Sequence, residues 1–489
     1  MTLPFHRNSD WHGVPVGVLG VGIAGFSAAD ALMQLGADVS IIDSSTGEKQ
    51  RERADILGSL GAHIYLGAGD LPDTQFAFVV TSPGLPPTHS FHVQAQARDI
   101  PIWGELELAW RLRNPDSAAD WLCITGTNGK TTTTLMVESM LREAGVRTVA
   151  AGNIGHSLVD VVMHDLLDVI AIEIGAPQLP FVYSMSPWAS VCLNVAEDHL
   201  DHFGGFGSYR DTKARAYERT QSAAIYNDHD PLTLHMVEEA DVMEGCRAIG
   251  FTRGIPGLSM LGVVDGALVD RAFIPDRRDS AQELALVSDI HPAAQHNTEN
   301  ALAAAALVRS WGVRAPGGEV APTAIRAGLR NFTPAAHRIH LVRELGGVQY
   351  VDDSKATNAH AAQTSIQAYP SVVWIAGGLA KGQDFGDLVR GTADRLRVAI
   401  LLGQDADSLA QALTRHAPNV PVFTLVTRET SAMEEAVLLA HGHARAGDTV
   451  LLAPGCASWD MFRDYSHRGD VFAQAVARLD GGAAAEMQS

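Results

Sequence analysis

The stretch Trp121–Thr134, WLCITGTNGKTTTT, decides the fold. An apolar run ends in two glycines, a lysine and four threonines, and a helical pattern, LMVESMLREAG, follows directly. A strand that turns through glycine into a helix makes an anion site, because successive backbone N–H groups and the helix N-terminus face the same point. The spacing departs from GxxxxGK[ST], since Ile124 stands where the first glycine would be. The physics is intact. Backbone N–H groups from Gly126 to Lys130 can cradle phosphates, Lys130 can reach the β- and γ-oxygens, and Thr131 can hold Mg²⁺. Gly126, Thr127, Asn128, Gly129, Lys130, Thr131, Thr132 and Thr133 are the candidate ATP contacts here.

Upstream, VGVLG, VGIAGFSAADALMQLG and ADVSIID read as strand, glycine turn with helix, and strand. Gly20-x-Gly22-x-x-Gly25, with Asp43 closing the second strand, predicts a Rossmann-type βαβ unit with a nucleotide-diphosphate site; a tight structural turn is the plainer alternative. TSPGLPP follows another apolar run, FAFVV, and predicts a second loop at the carboxyl edge of that sheet. Polar, aperiodic RNPDSAAD, Arg113–Asp120, marks a domain boundary.

Downstream, DVIAIEI, ASVCLNV and AAIYN predict further strands, with Glu173, AEDHLDHFG and a helix bearing Lys213 after them. That helix reads as exposed. Acids and histidines at the carboxyl ends of parallel strands lie on the rim where α/β sheets bind ligands. Glu173 and Thr131 can supply one Mg²⁺ site; His199 is available for a second, but an imidazole alone holds Mg²⁺ poorly. The segment 274–293, IPDRRDSAQELALVSDIHPA, reads as an irregular excursion. QHNTENALAAAALVRSWG is strongly helical, with Asn297 and Asn300 on one face at its start. A second boundary falls in LRNFTPAAHR, Leu329–Arg338, and VQYVDDSKATN, VVWIAGG, VAILLG and DTVLLAPG predict the strands of a last α/β domain. The tail GGAAAEMQS is expected to fray. The fold class is α/β in three domains: Rossmann-like over 1–115, central P-loop ATPase-type over 116–332, and Rossmann-like again over 333–489.

Composition narrows the function. The 489 residues carry a formal net charge of −20, which disfavours a nucleic-acid or anionic-membrane binder. Cys123, Cys192, Cys246 and Cys456 are scattered, without metal or disulfide spacing, as in a reduced cytoplasmic protein. MTLPFHRNSDWHG has no basic region before an apolar run, so no secretory signal is expected. The longest uncharged stretch, Ile174–Ala196, holds three prolines and several hydroxyl or amide groups, which argues against membrane insertion. Lysine is rare, at Lys49, Lys130, Lys213, Lys355 and Lys381 among 36 basic residues. Arginine cannot replace lysine where a compact charge or a deprotonatable amine is needed, so survivors inside motifs point to chemistry.

A triphosphate loop beside a Rossmann-like site suggests an ATP-driven reaction on a nucleotide-linked substrate. If that substrate offers a carboxylate, an anion must approach an anionic γ-phosphoryl group. Two unit charges about 4 Å apart repel by ~1 kcal/mol in water and ~4 kcal/mol at an effective dielectric near 20. Lys130 and Mg²⁺ answer that repulsion, and two metal ions do so better than one.

GTNGKTTTT, NVAEDHLD, YRDTKARAY, QHNTENALAA, HR, VDDSKATN and LLAPGCASWDMFRDYSHRGDVF stand in the order and spacing of the Mur ligase family, and the resemblance runs from Gly20 to about Phe472. It is closest to the branch that adds D-glutamate to UDP-N-acetylmuramoyl-L-alanine. The resemblance implies a domain for the UDP moiety, a central ATPase domain and a C-terminal domain for the amino acid. Lys130 and its loop would bind ATP, with Asn297, Asn300, Arg338 and Asp353 lining the same site. Thr131 and Glu173 would hold one Mg²⁺, His199 and Lys213 the other. Lys213 would be carbamylated by CO₂, which supplies an oxygen anion. Catalytic roles would therefore fall on Lys130, Glu173, His199 and Lys213. Thr357, Lys381, Ser458 and Tyr465 would hold glutamate. Gly22, Ile23, Ala24, Asp43, Ser44, Ser82, Pro83, Gly84, Asn153 and His199 would face the UDP substrate. A monomer that closes at a hinge near residues 330–337 is expected, with no nucleic-acid partner.

Departures from the family pattern concern fine contacts. EIGAPQ keeps Glu173 and Gln178 but lacks the usual hydroxyls and aromatic between them, Ala24 stands for a frequent threonine, His340 for an acid or amide, and Tyr465 for phenylalanine. Competing readings are a family member adding another amino acid such as L-glutamate, an NAD(P)-dependent oxidoreductase built on Gly20–Asp43, and a nucleotide-sensing pseudoenzyme. The oxidoreductase offers no role for Lys130, Glu173 or Lys213.

Overall fold

The structure is a computed structural model that describes residues 5–154, 156–164, 166–198, 200–291, 294–315, 317–427 and 429–479. Three sheets account for the chain, each built on the apolar runs that the sequence displays. In the first, strands His63–Leu66, Asp38–Asp43, Pro15–Leu19, Phe78–Thr81 and Ile102–Gly104 lie side by side in that order, all parallel. Strand order reverses at Pro15–Leu19, and crevices for ligands open at such reversals.

The second sheet has nine strands. Thr148–Gly152, Val169–Glu173, Asp120–Thr125, Ala189–Cys192, Ala223–Asn227, Arg247–Phe251 and Met260–Val264 run parallel in that spatial order. The core strands are nearly continuous apolar sequence because helices cover both faces. Trp121, Leu122, Cys123 and Ile124 are all buried. Within the helix Gln295–Trp311 the run Ala301–Val308 is apolar around its whole circumference and fully buried, as expected of a helical stretch with no polar face.

The excursion expected over 274–293 is corrected by the structure. Gln282–Leu286 is a strand, paired antiparallel with Ala267–Asp270, which pairs antiparallel with Met260–Val264. A buried side chain pins it: Arg309 Nε donates to Asp270 Oδ2 at 2.9 Å and Nη2 to Gln282 Oε1 at 2.9 Å. Local charge around a five-residue strand hides its alternation, and only the distant Arg309 reveals the anchor.

The third sheet holds His340–Leu345, Val348–Asp352, Thr449–Leu452, Val372–Gly377, Leu396–Leu402 and Val422–Thr424 in that order, parallel except for the first hairpin. The first two sheets share one compact unit that ends at Phe332; the second unit takes the chain from Thr333 with the short segments Ala196–Asp198 and Ala294–His296. No helix of the described residues is long and apolar enough to cross a membrane. The tail expected to fray, 481–489, lies outside the described residues.

Candidate active site

In the first unit, adjacent parallel strands deliver four loops to one edge of the nine-stranded sheet. Asp120–Thr125 leads into Gly126–Gly129 and the helix Lys130–Glu143. Gly129 has φ +85°, and a Cβ there would stand 2.4 Å from Asn300 Oδ1, so only glycine admits both the turn and the amide. Asn300 thereby touches the loop, and its Nδ2 donates to Asn297 Oδ1 at 3.2 Å. Two loop amides are already held: Thr127 N donates to the Asn194 carbonyl at 2.9 Å and Asn128 N to Asn194 Oδ1 at 2.8 Å. Thr133 is fully buried, and its N–H donates to the Gly129 carbonyl at 2.9 Å. Thr132 occupies the same first turn of the helix.

Lys130 Nζ donates to the carbonyls of Gly126 and Thr127 at 2.8 and 2.9 Å, so the ammonium caps its own loop. Thr131 Oγ1 donates to Glu173 Oε2 at 2.6 Å, and Asn153 Nδ2 donates to Glu173 Oε1 at 2.8 Å. Glu173 is 2% exposed. A buried carboxylate with a hydroxyl on one oxygen is a hard-oxygen donor set that suits Mg²⁺. Among the described residues, no group of three or more His, Cys, Asp or Glu side chains gathers as a metal cluster. His199, proposed for a second ion, lies outside the described residues.

The expectation of an exposed Lys213 is corrected: it is 1% exposed. Its helix, Phe206–Ala214, turns that face inward, and Lys213 Nζ donates to the Gly126 carbonyl at 2.8 Å and lies 4.7 Å from the Tyr209 ring centre. The Tyr209 hydroxyl is 3.0 Å from Thr127 Oγ1. Two lysines thus converge on one glycine carbonyl of the phosphate loop. The cysteines play no such part. Burial pushes the Cys192 thiol up to about 11 and Cys456 to about 12, which keeps both protonated and weakly nucleophilic.

At the carboxyl edge of the first sheet, Asp43 is committed to backbone: Oδ2 accepts from Val21 N at 2.9 Å and Oδ1 from Ser45 N at 2.8 Å. Ser82 Oγ donates to the Gly20 carbonyl at 3.2 Å, which ties the TSPG loop to the glycine turn. Gly22 caps the helix Ile23–Gln34, Ile23 is exposed, Ala24 follows in its first turn, and Ser44, Pro83 and Gly84 sit in the two adjoining loops.

In the second unit, neighbouring strands Val348–Asp352, Thr449–Leu452 and Val372–Gly377 send three loops to one edge. Backbone bonds join them: Gly455 N donates to Ala356 O, Leu379 N to Ala457 O and Ala457 N to Leu379 O, each at 2.9 Å. This brings Thr357, Lys381 and Ser458 onto a shared frame. Lys381 is exposed, with φ +52° and Nζ 4.5 Å from the Trp459 ring centre. Lys355 Nζ lies 3.8 Å from the Tyr465 ring centre.

Arg468 has a part that residue type and spacing do not reveal. It is 1% exposed and donates from Nε to Ser354 Oγ, from Nη2 to Ser354 O and from Nη1 to Cys456 O at 2.9, 2.8 and 3.1 Å, bracing two of those loops. Asn194, Tyr209 and Glu105 were missed likewise. Glu105 Oε1 accepts from Ser157 Oγ and Leu158 N at 3.1 Å, which locks the end of the Asn153 loop. The arginine, asparagine and tyrosine stand inside quoted motifs, but only contacts reveal their partners; Glu105 carries no sequence signal.

Burial pushes the Asp353 carboxyl up to about 6 from 3.8, although Ser365 Oγ and Ile339 N donate to it. A raised folded value means that the protonated form is favoured in the fold: the stabilisation is complete below about 3.8 and is lost as pH rises through about 6. Thermal melts of Asp353→Asn against the parent protein are therefore expected to diverge between about pH 4 and 6, the variant gaining relative to the parent as pH rises, with a constant difference above about pH 7. A pH-independent difference would show that this carboxylate ionises normally.

The Mur ligase middle domain matches residues 124–308, and the Mur ligase glutamate ligase domain matches residues 337–456. The chain is 51% identical over 474 residues to the UDP-N-acetylmuramoylalanine--D-glutamate ligase of Streptomyces coelicolor, covering 96% of this chain and 99% of that protein. It is 46% identical over 501 residues to the protein of that name from Leifsonia xyli, covering 98% and 95%. Among solved structures it is similar to the UDP-N-acetylmuramoylalanyl-D-glutamyl-2,6-diaminopimelate--D-alanyl-D-alanyl ligase of Acinetobacter baumannii, with TM-score 0.57 at 16% identity over 91% of this chain and 90% of that one. At that identity the likeness is one of fold.

Proposed function

This chain belongs to the Mur ligase family, and on that premise we propose that it joins D-glutamate to UDP-N-acetylmuramoyl-L-alanine in an ATP-driven step of peptidoglycan precursor synthesis. The observation that carries the reading is end-to-end similarity to D-glutamate ligases at about half identity, joined to a phosphate loop whose Thr131, Glu173 and Asn153 form one hydrogen-bonded set.

The alanyl carboxylate attacks the γ-phosphorus of ATP, the bond to the ADP oxygen breaks, and an acyl phosphate forms. The amine of D-glutamate attacks the acyl carbonyl, loses a proton, and phosphate leaves with the electron pair of the C–O bond. Lys130 sets a positive charge at the mouth of the loop, where the transferring group gathers negative charge. Thr131 and Glu173 would hold one Mg²⁺, with His199 and Lys213 at the other. Bound there, the ions would neutralise charge on the phosphate and acyl oxygens. Lys213 takes the second role as a carbamate: its neutral amine bonds to the carbon of CO₂ and loses a proton to give –NH–COO⁻, whose remaining N–H can still donate to the Gly126 carbonyl. Asn297, Asn300, Arg338 and Asp353 are the proposed remaining nucleotide contacts, Thr357, Lys381, Ser458 and Tyr465 the glutamate contacts. The proposed division of labour is 1–115 for the UDP moiety, 116–332 for ATP and 333–489 for the amino acid.

Phosphate release from ATP in the presence of UDP-N-acetylmuramoyl-L-alanine tests this. D-Glutamate is expected to trigger turnover, and L-glutamate or other amino acids are not. No release with any amino acid would overturn the ligase reading; release with a different one would reassign the substrate.

A further inference from the structure

Two consecutive carboxylates in the second unit hold a strained turn around Arg338. His337 and Ile339 both have left-handed backbones, with φ +61° and +45°. Non-glycine residues seldom adopt this region, and a β-branched one such as isoleucine is an outlier there. Such conformations persist only where surroundings over-determine them, and they gather at functional sites. Here each is held by a different acid. His337 Nδ1 bonds Asp352 Oδ2 at 2.7 Å, and Ile339 N donates to Asp353 Oδ1 at 3.2 Å. The His337 carbonyl also accepts from Lys355 N at 3.1 Å.

The helix Tyr465–Ala477 is shaped for the same ring. A Cβ on Gly469 would fall 2.1 Å from His337 Nδ1 and 2.6 Å from Asp352 Oδ2. Glycine weakens a helix interior, and here it leaves the space that the imidazole and the Asp352 carboxylate occupy together. His337 Nε2 lies 3.6 Å from Asp470 on that helix, and the ring centre lies 6.5 Å from that of Tyr465. The bond to Asp352, with Asp470 and Asp464 nearby, holds the imidazole above its usual range.

We propose that His337 is a positioning residue for nucleotide binding: clamped between Asp352 and Gly469, it fixes the turn that presents the Arg338 guanidinium. The inference rests on the proposed nucleotide role of Arg338. Asp353 faces both the Ile339 amide and the Arg338 charge, so the acid pair sets the backbone on either side of the arginine.

The test measures ATP affinity by calorimetry, together with kcat and KM for ATP and D-glutamate, in full-length His337→Ala, His337→Asn, Gly469→Ala and Arg338→Ala. His337→Ala and Gly469→Ala are expected to weaken ATP binding roughly tenfold, raising its KM more than they lower kcat and moving the KM for D-glutamate less than about twofold. His337→Asn is expected to recover most of the affinity, because asparagine tolerates the left-handed region and can donate to Asp352 from nearly the same place. In the Arg338→Ala background, His337→Ala should add no further loss. Unchanged ATP affinity in His337→Ala or in Arg338→Ala, additive losses in the double variant, or equal worsening of every constant would overturn the clamp. The calorimetry needs only ATP, so failure of D-glutamate-dependent turnover in the parent protein would sink the proposed reaction and leave this inference standing.

Discussion

Lys213→Arg is expected to lose turnover by about 10³-fold, the scale on which removal of a preorganised charge partner in phosphoryl or acyl transfer is felt. The side chain is 1% exposed and its Nζ sits 2.8 Å from the Gly126 carbonyl, inside the wall of the phosphate loop. An exposed lysine would tolerate arginine. A buried one whose proposed working form is an anion does not, because a guanidinium stays cationic and cannot become a carbamate at neutral pH. Arginine also carries more volume into a packed site, so a companion variant separates chemistry from packing. Lys213→Ala, which leaves a small cavity against Tyr209, is expected to be equally inactive and to regain part of its rate with millimolar formate or acetate. Small carboxylates cannot help Lys213→Arg. Phosphate release at saturating substrates, with thermal melts to confirm folding, reads both variants. Near-parental turnover in Lys213→Arg would remove the carbamate from the account.

Glu173→Gln is expected to lower kcat by roughly 10²- to 10³-fold and to raise the Mg²⁺ concentration needed for half-maximal rate. The carboxylate accepts from Thr131 on one oxygen and from Asn153 on the other. Glutamine keeps the shape but not the charge: its Oε1 can accept from Asn153 while its amide N–H donates to the Thr131 hydroxyl, which accepts as readily as it donates. The loss is thus one of charge: the negative group proposed to hold the ion disappears while the hydrogen-bonded frame can be kept. Initial rates across a Mg²⁺ titration measure it. An unshifted Mg²⁺ dependence alongside reduced kcat would reassign Glu173 from ion binding to loop architecture.

Much of this was legible in the chain. Parallel strands buried on both faces must be nearly continuous apolar runs, so WLCIT, ASVCLNV and VVWIAGG announce themselves, and glycine-rich loops mark where they end. The candidate chemistry was legible where it is carried by residue type at short spacing, as in Gly126–Thr131 or the Asn297 and Asn300 pair. The strand Gln282–Leu286 was not, since its evidence is the side chain of Arg309 some two dozen residues later. Nor was the part played by Glu105, whose partners Ser157 and Leu158 lie in another segment.

By itself the sequence determined the α/β architecture, the phosphate loop and the family, because all three are written in local order: apolar runs, turn residues and motif spacing. Tertiary structure decided which groups meet. It buried Lys213 against Gly126, joined Thr131 to Asn153 through Glu173, braced the Ser354 and Cys456 loops of the second unit with Arg468, and opened Gly469 to admit His337. The physical reason is that charge, burial and hydrogen bonding act across a few ångströms of space, and residues that close in space are here separated by tens to more than a hundred positions in the chain.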